Sequence, residues 1–286
     1  MSQGPEIVIK QTLAIVDAAF TPAAVANYSL SVLVSAHRIQ FAVLDIQRQT
    51  LLGVKEFEAE HQDFFTKQEL LQSLNNIEPW LSLPFHQVKL AFFFAKNLFI
   101  PHQLSASIDK QLLVKNHFKV AFAESLQTYP FPRLDADCLM AVPQKALDWA
   151  KKTFPIAKIL ALPVCFLQKS FLLETTIHVW LDGRNMILSV IKNKQMQFCN
   201  TFSYSTPDEA AYYLLFTLQQ LGEDAQQTTL EVSGSIHEND GLHELLRKYI
   251  YQINFAPKTA GFYFSPALQS VPSQQFDLLY FLNHCE

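Results

Sequence analysis

An internal repeat constrains this chain more than any other feature. Leu30, Val32 and Val34 alternate with neighbours on the opposite face of a strand, and Ile177, Val179 and Leu181 do the same 147 positions later (177 − 30). The same offset carries Phe41, Val43 and Leu44 onto Leu188, Val190 and Ile191. The third strands match with a small slip, so that Phe57 falls on Phe202. Each run ends in a Thr-x-x-Glu helix start, Thr66 with Glu69 and Thr206 with Glu209. In such a capping box the hydroxyl and the carboxylate satisfy backbone N–H groups that the first turn leaves open. Apolar alternation alone arises by chance. Three strands and a capped helix in one order, twice, point to a duplication.

The pattern predicts strands over residues 28–35, 39–46 and 51–57, joined by short polar links into an antiparallel meander. A helix follows over residues 66–78, with Leu70, Leu71, Leu74 and Ile77 on one face and Pro79 as its stop. A strand at 88–95, helices at 109–118 and 144–153, and strands at 138–142 and 159–164 complete the first half. In the second half strands are predicted at 175–181, 186–191 and 196–202, with turns at Asp182-Gly183 and Asn193. A helix opens at Pro207 and closes at Gly222. A strand at 230–233, a helix at 242–251, a strand at 253–255 and a helix at 276–283 follow. The expected division is residues 1–170 and residues 171–286, with the C-terminal helix packing back toward the first half.

Composition suits two domains with substantial cores: 286 residues, 49% hydrophobic and only 17% charged. A net charge of −4 without a Lys/Arg cluster argues against a nucleic-acid partner. The 24 phenylalanines imply an aromatic core or apolar surface kept for a protein partner. Cys138, Cys165, Cys199 and Cys285 are scattered, with no CxxC pair, so neither zinc nor a disulfide framework is expected. The N-terminal residues lack a basic region followed by an apolar run, and the longest apolar stretch, near residues 159–167, is too short to span a bilayer. A cytoplasmic protein is the expectation.

The duplicated unit resembles the actin-like ATPase superfamily, which includes actin, sugar kinases and pilus-assembly scaffolds. The segment YSLSVLVSAHRIQFAVLD is similar to an uncharacterised bacterial family of that fold. The resemblance covers most of the chain at the level of architecture. It implies an α/β fold of duplicated actin-like (ribonuclease H-like) βββαβαβ halves, with a cleft between them. It also implies ATP and magnesium held by two hairpins, each supplying an acid and a glycine, and an adenosine loop after a later strand.

The residues depart from that scheme. The first hairpin, Ser35-Ala36-His37-Arg38, has neither glycine nor acid. The second has Asp182 and Gly183, but they are adjacent, and a type I′ turn also asks for Asp-Gly. The adenosine-type loop is Ser233-Gly234-Ser235, a sequence that a plain strand-to-loop turn also fits. Residual anion binding would fall to Arg38. The stretch from His237 to Glu244 is not HExxH and reads as a polar loop with Asp240 capping a helix. Asp135 and Asp137 read as a solvated loop. No Gly-x-Ser-x-Gly elbow supports a hydrolase. The expectation is an inactive binding or scaffolding protein with a protein partner, a homodimer included, and no cofactor. The alternative is a nucleotide-binding protein or weak ATPase or kinase using Asp182, Gly183 and Ser233–Ser235 with ATP and magnesium.

Overall fold

The computed structural model describes residues 9–59, 64–65, 74, 76–121, 123–173 and 176–285, and strand β1 (Ile9–Val16) is the first described element. Three strands, β2 (Tyr28–Ser35), β3 (Arg38–Asp45) and β4 (Thr50–Ala59), form the expected antiparallel meander. The Thr66/Glu69 capping box lies outside the described residues. Strand β5 (Gln87–Phe93) pairs parallel to β2. An insertion follows: β6 (Asn97–Pro101), α1 (His102–Ser107), α2 (Lys110–His117), β7 (Glu124–Phe131) and β8 (Ala136–Pro143). Asp109 caps α2 through the backbone N–H groups of Gln111 and Leu112. Helix α3 (Gln144–Thr153) leads into β9 (Lys158–Ala161) and α4 (Leu162–Ser170).

The second half contains β10 (Ile177–Leu181), β11 (Asn185–Lys192), β12 (Gln195–Ser203), α5 (Pro207–Gln220), β13 (Thr229–Gly234), α6 (Gly241–Leu246) and β14 (Gln252–Phe255). The tail adds β15 (Tyr263–Phe264) and α7 (Asp277–Phe281). The Thr206 box forms: Thr206 Oγ1 accepts from Glu209 N at 3.2 Å, and Glu209 Oε2 accepts from Ser205 N at 2.6 Å.

The first sheet runs β1-β4-β3-β2-β5-β9 and the second β12-β11-β10-β13-β14. From the third meander strand onward the order is the same in both. The registers agree as well. Leu30 faces Val43 and Val32 faces Phe41; at the 147-residue offset Ile177 faces Val190 and Val179 faces Leu188. Ile39 faces Phe57, and Met186 faces Phe202. Even the irregularity recurs, between Val43 and Leu44 and again between Val190 and Ile191. A one-residue slip would turn every side chain to the other face, so matching registers bury matching residues.

Several elements differ from the expectation. Residues 138–142 belong to β8, which lies in a separate β6-β8-β7 sheet; the strand completing the first sheet is β9. The predicted strand at 159–164 ends at Ala161, where Leu162 and Pro163 begin α4, because proline's fixed φ suits a helix's first turn. Helix α6 stops at Leu246, well short of residue 251. Asp137 is buried within β8, not solvated, and Asp135 occupies the left-handed turn before it.

Among the described residues two large apolar clusters serve one half each, a third fills the middle, and a small fourth, with Ile100, Val114 and Leu139, lies in the insertion. Tyr28, Phe41, Phe57, Phe92 and Trp149 pack with the first sheet's outer layer, and Leu188, Leu214 and Leu230 with the second's. The middle cluster joins the halves: Phe93 meets Trp180 edge-on at 4.8 Å beside Phe166, Phe276 and Tyr280. The tail lies against the first sheet. There β15 pairs with β4, and Lys89 Nζ donates to the carbonyls of Asn283 (3.0 Å) and Cys285 (2.6 Å). All four cysteines are free thiols.

Candidate functional site

The tips of two equivalent hairpins, β2–β3 and β10–β11, face one another across a cleft. His37, Arg38, Glu58, Ala59, Asp182, Gly183 and Arg184 line it around a volume of about 240 Å³. Sequence reasoning had flagged Arg38, Asp182 and Gly183 here, and the fold brings them together.

Both tips are closed by the side chain that starts them. Ser35 Oγ accepts from Arg38 N at 3.2 Å. Asp182, 147 positions on, uses Oδ1 to accept from Arg184 N (3.1 Å) and Asn185 N (2.9 Å). The Asp182 carboxylate is therefore engaged by its own turn. Gly183 has φ +90° at the first central position, while Arg184 does not take positive φ, so the turn is of the II′ kind and not I′. The Asn193-Lys194 turn, with positive φ at both residues, is the I′ one. Burial pushes the Asp182 carboxyl above the ordinary aspartate range, against the opposing pull of the Arg184 and Asn185 backbone N–H groups and of Arg38.

Gly234 ends β13, and its role is steric. At φ +87° a Cβ would lie 2.0 Å from Leu181 O, so only glycine lets β13 close on the end of β10. Its neighbour's N–H, Ser235 N, donates to Leu181 O at 2.8 Å. Ser233 is buried within β13. Ser235 turns toward the cleft, where its hydroxyl accepts from Arg38 Nη1.

Arg38 is the hub. Its Nε donates to Glu58 Oε1 at 2.9 Å and lies 3.4 Å from Glu56 Oε2, and Nη2 also donates to Glu58. Glu56 is buried, accepting from Gln40 Nε2 at 2.6 Å and Thr12 Oγ1 at 2.8 Å. Two carboxylates thus meet one guanidinium, so the Arg38 charge is already balanced by its own strand pair. Glu56 and Glu58 were not singled out from the sequence, although a signal existed. Once Ile39 faces Phe57, Arg38 must face Glu58 and Gln40 must face Glu56, an opposite-charge and a polar cross-strand pair.

The other candidates resolve simply. His243 is buried, its Nδ1 held at the Glu238 carbonyl oxygen and its ring 5.2 Å from Phe255, so it belongs to the packing of α6. Asp240 accepts from His237 N at 2.7 Å, closing the preceding turn without bonding into the helix. Among the described residues no group of three or more His, Cys, Asp or Glu side chains is placed to hold a metal ion. No helix among them is long and apolar enough to cross a membrane.

Two sheets of one strand order, facing hairpins and a cleft between them define an actin-like ATPase fold. Within that class, the chain belongs to the family described as protein of unknown function DUF3822, whose model matches residues 17–253. Its structure is similar to a Bacteroides thetaiotaomicron VPI-5482 protein with actin-like ATPase fold and unknown function, with TM-score 0.73 and 14% identity over 93% of this chain and 99% of that one. It is also similar to a chain of the PilM-PilN type IV pilus biogenesis complex, with TM-score 0.58 and 9% identity over 89% of this chain and 97% of that one. No curated protein matches the chain in sequence.

Proposed function

We propose that this chain is a catalytically inactive member of the actin-like fold that works as a cytoplasmic binding or scaffolding module for a protein partner. One observation carries the reading: Arg38, at the first hairpin, is bonded to Glu58 beside it and to Ser235 across the cleft. A side-chain bridge between the halves stands where a nucleotide-dependent relative would place phosphates. The remaining acid of the hairpins, Asp182, is engaged by backbone N–H groups of its own turn. The first hairpin offers a magnesium–triphosphate group neither a glycine for close backbone approach nor a carboxylate for the cation's water shell, and the second offers Gly183 but commits its carboxylate to its own turn. The solved complex of PilM with PilN is a structure of this fold with a protein bound, which supports the partner side of the proposal.

The alternative, nucleotide binding through Asp182, Gly183 and the Ser233–Ser235 loop, makes a different forecast. Ligand at a hundred times its dissociation constant would stabilise the protein by about 2.7 kcal/mol. A thermal-shift series with ATP or ADP plus magnesium, on the parent and on Arg38→Ala, separates the two. No shift in either protein is expected. A saturable upward shift in the parent would overturn the proposal.

A further inference from the structure

Helix α5 carries an outward stripe that the two-half core does not use. Residues 210–222 contain no charged side chain, and within this stretch Tyr212 is 59% and Phe216 46% exposed. Their rings lie 5.6 Å apart and stacked. Tyr212 touches Tyr213, Tyr213 stacks on Phe202 at 5.0 Å, and Phe202 stacks on Phe198 at 6.3 Å. Five aromatic rings thus run without a break from the edge strand β12 onto the open face of α5. An aromatic patch of this kind on an edge strand and a helix is the composition of a contact surface.

The first turn of α5 is acidic, and its far end carries both signs, Glu223 and Asp224 beside Lys192 and Lys194. Asp208 and Glu209 sit in the first turn of α5. At the other end the β11–β12 turn brings Lys192 and Lys194, because Lys192 pairs with Glu223 just past the helix. Glu209 is used by its cap, Lys192 by Glu223, and Asp224 by Gln226 N and Gln227 Nε2 of its own turn. That leaves Asp208 and Lys194, both exposed and without a side-chain partner among the described residues. The helix has 14 residues, so the opposite charges stand about 20 Å apart along it.

We infer that this face binds a second copy of the same chain, with the two α5 helices antiparallel about a two-fold axis through Tyr212 and Phe216. A two-fold contact must be self-complementary. The antiparallel arrangement puts aromatic rings on aromatic rings, brings Asp208 of each copy toward Lys194 of the other, and opposes the two helix dipoles. A parallel arrangement would set Asp208 on Asp208. A strongly charged partner would find nothing to pair with along the uncharged middle. The inference stands on this face alone and does not depend on the state of the inter-half cleft.

Sedimentation of the full chain at micromolar concentration tests it. The expected species has twice the 32.6 kDa monomer mass. Phe216→Glu, a change at an exposed position, should raise the dissociation constant more than about tenfold while the circular dichroism spectrum stays that of the parent. Asp208→Lys and Lys194→Glu should each weaken the dimer, and the double exchange should recover it. A monomer throughout the concentration series would overturn the inference. So would a dimer indifferent to Phe216→Glu, or a double exchange that fails to recover association.

Discussion

Arg38 and Ser235, 197 positions apart in the chain, are hydrogen-bonded across the cleft between the two halves. The bond ties the first half's leading hairpin to the loop that closes β13. It should therefore register as coupling between the halves in unfolding. A double-mutant cycle with Arg38→Ala and Ser235→Ala, followed by urea denaturation, is expected to return an interaction energy of about 1 kcal/mol. Arg38→Ala alone should cost more than Ser235→Ala, because it leaves buried Glu56 without its cation. Strict additivity would mean that the bridge contributes nothing.

Gly183 and Gly234 have nearly the same positive φ, yet their surroundings differ. Around Gly183 a Cβ would meet nothing within 4 Å, whereas at Gly234 it would overlap the Leu181 backbone. Gly183→Ala should show only the backbone penalty, about 1–3 kcal/mol. Gly234→Ala should add a steric cost that separates β13 from β10, seen as faster amide exchange at Ser235. Equal destabilisation by the two substitutions would contradict this assignment.

Lys169 of α4 and Asp277 at the start of α7 form a buried ion pair, and Thr259 Oγ1 donates to Asp277 Oδ1 at 3.1 Å. Breaking the pair strands a buried charge. Lys169→Met should lower stability by about 3–5 kcal/mol, while Lys169→Met with Asp277→Leu should recover most of that loss. Chemical denaturation of the three proteins tests it, and a double variant as unstable as the single one would contradict it.

Asp182 gives a pH signature. Burial holds its folded pKa above the unfolded value of about 3.9, despite opposing backbone N–H groups and Arg38. A carboxyl that binds its proton more tightly when folded favours folding at low pH, and that contribution is lost as pH rises from about 4 through the folded pKa. Asp182→Asn keeps the acceptor for Arg184 and Asn185 but does not titrate. The stability of this variant relative to the parent should therefore grow as pH rises from the acid side and then level off. A difference independent of pH would contradict the burial argument.

Much of this was legible in the sequence. Strand β2, helix α3 and the Thr206 cap follow directly from alternation and capping chemistry, and the 147-residue offset foretold matching registers. Strand β1 was not read, because a register shift between Gln11 and Leu13 breaks its alternation. Strands β6 and β7 escaped for related reasons: one is five residues long, and the other holds Pro130 and is largely half-exposed. At the site, Gly234 fitted an adenosine-type loop and a plain strand-to-loop turn alike, and what requires it is Leu181 of a strand far away in sequence. Arg38 was visible as a cation. Its commitment to Glu58 and Ser235 emerges only when sheet register and the packing of two halves act together.

The central claim is the absence of catalysis at the cleft, and phosphate release from ATP with magnesium tests it most directly. Phosphoryl transfer relies on positioned charge, which requires groups that are available to the phosphates and the cation. Here the Asp182 carboxylate closes its own turn and Arg38 is held between Glu58 and Ser235. Purified parent protein, assayed beside Asp182→Ala, is predicted to release no more phosphate than a protein-free control. Turnover in the parent that disappears in Asp182→Ala would contradict the account and assign the cleft to nucleotide chemistry.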